Sequence, residues 1–125
     1  MLELIVVVVI VGILAALGVT QYGGYRERTL NKEALANLRL IQAAQRVYFL
    51  EHGHYYPPSG ANISNISAID SNLKLTIPST NQKWNYNVSS TGQAQAIRAG
   101  DDSRSLTLPV ASETAPTCTG STKCP

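Results

Sequence analysis

The sequence predicts an α+β protein: a long N-terminal α-helix, hydrophobic in its first half and amphipathic in its second, packed against a small antiparallel sheet of three or four strands. Three observations carry this. Residues 4–19 read LIVVVVIVGILAALGV, without one polar side chain. Residues 25–50 keep apolar side chains at spacings of three and four, the period of a helix with one buried face. Beyond residue 83, short segments alternate apolar and polar between turn residues, as half-buried strands do.

Composition narrows the function. Charged residues are 14% of the 125, with ten Lys and Arg against eight Asp and Glu, where roughly 25% is usual. A net charge of +2 without clustering gives no footprint for nucleic acid. Two cysteines cannot complete a four-ligand zinc site. No Ser-His-Asp or Cys-His arrangement, phosphate-cradling glycine loop or pair of carboxylates in a plausible cleft is present, so catalysis, a cofactor and a metal are not expected.

The apolar block approaches the roughly 20 residues needed to cross a bilayer core of about 30 Å. A secretory signal peptide would begin with positive charge. Here the start is Met-Leu-Glu, with no Lys or Arg before Arg26, so the block reads as a retained membrane helix. Glu3 is its one charge. A carboxylate at the centre of a membrane helix costs about 3 kcal/mol, and less near an edge. Glu3 therefore either sits at the interface, where a helix N-terminus favours an anion, or pairs with a cation on a neighbouring chain.

In the second half, Leu30, Ala34, Leu38, Ile41, Ala44 and Tyr48 form the expected core face, while Arg26, Arg28, Lys32, Arg39 and Arg46 lie mostly elsewhere. Gly53 and Pro57-Pro58 end the run. The aromatics on this helix, Tyr22, Tyr25, Tyr48 and Phe49, are read as packing. The division expected is a hydrophobic helix over residues 1–24 and an amphipathic helix with a globular head over residues 25–125.

Residues 59–82 are rich in Ser, Asn and Gly and read as a loop, with at most one short strand at 73–77. Asn62, Asn65 and Asn87 each begin an N-glycosylation triplet, and are read here as turn formers. Strands are expected over 83–89, 93–99 and 104–110, turning at Thr91-Gly92 and at Gly100-Asp101-Asp102-Ser103. Asp101-Asp102 is read as hairpin chemistry rather than a calcium site, and His52 and His54 as a surface turn rather than a metal pair. Cys118 and Cys124 enclose five polar residues or glycine. Their spacing excludes a redox CxxC motif and no histidine is near. A structural disulfide is expected, worth about 2 kcal/mol by loop closure, in an oxidising compartment.

The order Glu3, β-branched run, Gly12, Ala15-Ala16 and Gln21-Tyr22 resembles the mature N-terminus of type IV pilins and type II secretion pseudopilins, over about residues 1–25. The resemblance implies that Met1 is an interior residue of the native protein, two residues in from an N-methylated aromatic left when prepilin peptidase removes a basic leader. It implies that Glu3, Leu4, Gly12, Ala15 and Gly18 take part in subunit assembly, with Glu3 neutralising the amine of an adjacent subunit. The partners implied are identical subunits in a helical filament, the bacterial inner membrane before assembly, prepilin peptidase and the pilus assembly machinery. Basic residues after the block would by themselves place that side in the cytoplasm; the implied leader, like the disulfide, places it outside. Thr20 stands where family members often carry a helix-loosening proline. The function expected is the major structural subunit of a type IV pilus-like filament on the cell surface. The alternatives are a major pseudopilin, or a monomeric membrane-anchored extracytoplasmic binding protein.

Overall fold

The computed structural model describes residues 1–58, 60–80, 82–100, 103–111, 113 and 115–124. In chain order the elements are α1 (Leu2–His52), α2 (Ile66–Leu73), β1 (Trp84–Val88), β2 (Ala94–Arg98), β3 (Ser105–Leu108) and β4 (Thr117–Thr119). The chain divides into two compact units, Met1–Leu30 and Asn31–Pro125. The N-terminal unit is the first part of α1, and its residues 1–19 are all exposed.

The C-terminal unit holds the core. There, Ala34, Leu38 and Ile41 of α1 meet Ile69 and Leu73 of α2 and the inward residues of the sheet. Tyr56 and Ile77 fill in from the connecting segments. The expected core face of α1 holds at its centre, while Ala44 and Tyr48 are only partly buried. Two polar residues share that buried face instead, Asn31 and Gln45. α1 ends at Gly53, whose φ of +77° is left-handed and whose N–H reaches the Phe49 carbonyl at 2.8 Å.

The sheet is an antiparallel meander in the order β1-β2-β3-β4. Alternation places Trp84, Tyr86 and Val88, then Ala94 and Ala96, then Leu106 and Leu108 on the core side. The register pairs Tyr86 with Ala96 and Ala96 with Leu106. A small residue thus lies between two large ones in the buried layer of the sheet. The first turn closes with Gly92 at a φ of +77° and its N–H on the Ser89 carbonyl at 2.9 Å. At the second turn, Asp101 and Asp102 lie outside the described residues.

One expectation needs correction. Within residues 59–82 the chain forms α2, and there is no strand at 73–77: Leu73 closes the helix and residues 75–79 have no regular structure. Asn65 caps α2, its side chain accepting the Ser67 N–H at 3.0 Å. Its carboxamide is therefore used as a cap. Burial of Ile69 and Leu73, four residues apart, supplies the driving force that the polar residues between them lack. Ahead of α2, Ile63 and Val88 exchange two backbone hydrogen bonds of 2.9 Å each. β4 had no strand expectation of its own and makes the fourth member of the sheet.

Candidate assembly surface

Residues Leu2–Val19 form a helical segment long and apolar enough to cross a membrane, and none of it is buried within the chain. β-branched residues are usually weak helix formers because their χ1 freedom is lost against the preceding turn. A run of them is held helical wherever the segment lies in an apolar medium, since there every backbone N–H and C=O must be satisfied within the segment.

Glu3 stands in the first turn of α1, where the unpaired N–H groups of the helix start favour negative charge. At 3.6 residues per turn, Leu4, Ala15 and Gly18 share one face, with Gly12 and Glu3 each about a quarter turn from its centre, on opposite sides. A Cβ added at Gly12 or Gly18 would meet nothing within 4 Å. Neither glycine is therefore required by packing within the chain.

The C-terminal unit is tied together by buried polar groups that sequence periodicity did not single out. Gln45 is fully buried and makes two bonds to the backbone of Tyr56, donating to its carbonyl at 2.6 Å and accepting from its N–H at 2.9 Å. It closes the segment after α1 in the way a strand partner would. Arg104 is also fully buried. Its Nη1 donates to Asn31 Oδ1 at 2.6 Å and to the Lys123 carbonyl at 3.4 Å, and Asn31 Nδ2 donates to that same carbonyl at 3.3 Å. Arg104 and Arg98 each stand over the ring of Trp84, at 5.4 and 5.6 Å from its centroid.

Cys118 and Cys124 are bonded to each other. The loop they enclose is anchored twice, by β4 on β3 and by Lys123 on Asn31 and Arg104. The signal that could have flagged Asn31 and Gln45 is their position on the apolar face of an amphipathic helix, where a polar residue needs a partner.

Tyr86 has its phenol raised above the ordinary value: burial raises it, the Asn37 hydrogen bond at 2.8 Å lowers it, and the charge of Glu33 raises it again. His52 stacks on Tyr48 with ring centroids 4.1 Å apart, and His54 lies 6.1 Å from His52. Among the described residues no group of three or more His, Cys, Asp or Glu is placed to hold a metal ion.

No family model matches the chain. Over 55 residues, 44% of this chain, it is 36% identical to a protein described as "Type IV major pilin protein PilA" from Myxococcus xanthus (strain DK1622). The match spans 25% of that relative's length. Over that stretch the chain is similar to a type IV major pilin, and its apolar helix of residues 2–19 fits that likeness.

Proposed function

We propose that this chain is the major structural subunit of a type IV pilus-like helical filament, held in the inner membrane before assembly and displayed on the cell surface afterwards. The observation that carries the reading is an apolar helix of 18 residues, entirely exposed in the single chain, with one carboxylate in its first turn. Such a surface needs either lipid or other copies of itself. Helices that leave lipid for a bundle gain little from the hydrophobic effect, since lipid tails are as apolar as their side chains. Packing then rests on close approach, which the Gly12, Ala15 and Gly18 flank permits beside Leu4. Specificity rests on Glu3.

Moved into a bundle, the Glu3 carboxylate loses water and headgroups, and only a cation of an adjacent subunit compensates. Desolvation offsets much of the attraction, so the pair selects vertical register more than it adds net stability. A repeating, non-closing contact of this kind generates a helical filament. Prepilin peptidase and the assembly machinery are the partners this reading requires.

The test is Glu3→Ala in the full chain. Fractionation should find the variant in the inner membrane at parental levels, while sheared filaments fall at least tenfold. Parental filament yield from that variant would refute the assigned role.

A further inference from the structure

The turn that follows α1 gathers rings that spacing alone would leave apart. Gly53, at a φ of +77°, turns the chain between His52 and His54. His52 stacks on Tyr48 with ring centroids 4.1 Å apart, and His54 tilts against the same ring at 5.8 Å. The two imidazole centroids thereby come within 6.1 Å of each other. Both histidines are exposed, so an ion from solution reaches them.

Each imidazole already has one nitrogen engaged. His52 Nδ1 lies 3.2 Å from the Tyr48 carbonyl oxygen, and His54 Nδ1 lies 3.2 Å from the Tyr55 carbonyl oxygen. A carbonyl oxygen only accepts, so in the neutral ring the proton sits on Nδ1 and is donated there. Nε2 of each ring then keeps its lone pair, which makes it a metal ligand. A bond from the other ring nitrogen to a backbone carbonyl is also what fixes the orientation of a ligating histidine and raises its basicity. Two neighbouring rings prepared in the same way are the basis of a chelate.

An ion about 2.0–2.1 Å from each Nε2 holds the ring centroids about 4.5–6.4 Å apart, as the angle at the metal opens from about 90° to 180°. The observed separation falls inside that span. Imidazole suits copper, zinc and nickel, and Cu2+ stands highest among the divalent ions in affinity. Glu51, next in the chain, lies 3.8 Å from Lys74 and is not counted as a ligand. We infer that His52 and His54 form a surface site for a divalent late transition-metal ion, Cu2+ most tightly, held through both Nε2 atoms with water at the remaining positions. With only two protein ligands the site exchanges its ion, unlike a closed structural centre. The inference goes beyond the filament reading and concerns a single chain.

The experiment titrates the full chain, in detergent, with Cu2+ alone, followed by calorimetry and by electron paramagnetic resonance. One ion per chain is expected, with coupling to two nitrogens in the spectrum. His52→Gln and His54→Gln should each weaken binding by about tenfold or more, because the second nitrogen no longer closes the chelate from within the chain. Each should also leave coupling to one nitrogen. The two substitutions together should abolish binding. Trp84 fluorescence on heating checks that each variant folds.

Parental affinity in the doubly substituted chain would overturn the inference, and so would a single variant that binds as the parent does. A stoichiometry of one ion per two chains would overturn it too, because the ion would then lie between copies. Coupling to one nitrogen in the unaltered chain would mean an adventitious ion only. None of these readouts depends on filament assembly, so failure here and failure of the filament reading are separate observations.

Discussion

Gln45→Ala should lower the melting temperature of the C-terminal unit by more than any surface change. The side chain is fully buried and satisfies both the N–H and the carbonyl of Tyr56, itself only 9% exposed. Alanine leaves two buried backbone groups without partners, each costing about 1–3 kcal/mol. Taken near the lower end for both, the loss is about 2–4 kcal/mol. For a unit of this size each kcal/mol moves the midpoint by about 4–8 °C, so a fall of about 8–32 °C is expected.

The assay is fluorescence of Trp84, the chain's single tryptophan and a buried one, followed on heating the full chain in detergent. Gln45→Glu sharpens the test. Its carboxyl can still accept from the Tyr56 N–H, but it can donate to the Tyr56 carbonyl only when protonated. Burial and the facing carbonyl oxygen both favour the neutral acid, so its pKa in the folded state lies above the unfolded value. Stability is then fully present below the unfolded pKa and is lost as pH rises through the folded one. The Gln45→Glu variant should therefore approach parental stability in acid relative to the parent at the same pH. A Gln45→Ala melt within 2 °C of the parent (on the order of the scatter for under 1 kcal/mol) would refute the bridging argument.

Two further outcomes follow from the same unit. Gly92→Ala places a Cβ 2.8 Å from both Tyr55 Cγ and Val110 Cγ1, at a φ of +77°, and should destabilise by about 1–3 kcal/mol in the same melt; an unchanged midpoint would refute it. Tyr86 should ionise above the ordinary tyrosine range in an ultraviolet titration, and Glu33→Gln should bring it down. Because the folded value is the higher one, stability is present below the unfolded pKa and is lost as pH climbs through the folded pKa of Tyr86, so alkaline unfolding should set in there.

Much of this architecture is legible in local pattern. Trp84, Tyr86 and Val88 alternate cleanly, and a strand's period of two needs no tertiary information. The long helix is equally plain, because sixteen apolar residues and then a 3.6-residue period leave few competitors. α2 escaped because Ser67, Asp70, Ser71 and Asn72 are all poor helix formers, and only burial of Ile69 and Leu73 against the rest of the core overrides them. Asn65 followed by Ile66, Ile69 and Leu73 was the available signal.

The partners of Asn31, Gln45 and Arg104 were not legible, since Lys123 and Tyr56 are brought to them by the fold and not by spacing, although the helix face could have flagged Asn31 and Gln45 as buried. In the candidate site, Glu3 stood out because a lone charge in an apolar run needs no structure to be noticed.

The sheet's two margins bear on how such a molecule avoids uncontrolled aggregation. A strand lying at the rim of a sheet is a template on which any extended chain can add itself. Here one rim, β4, is three residues long and runs into the loop closed by the Cys118–Cys124 bond. The other, β1, is already occupied at Val88 by Ile63. Neither presents a long vacant row of amides and carbonyls to a neighbour. Edges managed in this way give little purchase to amyloid-like strand stacking, a mode of association that needs a long open strand.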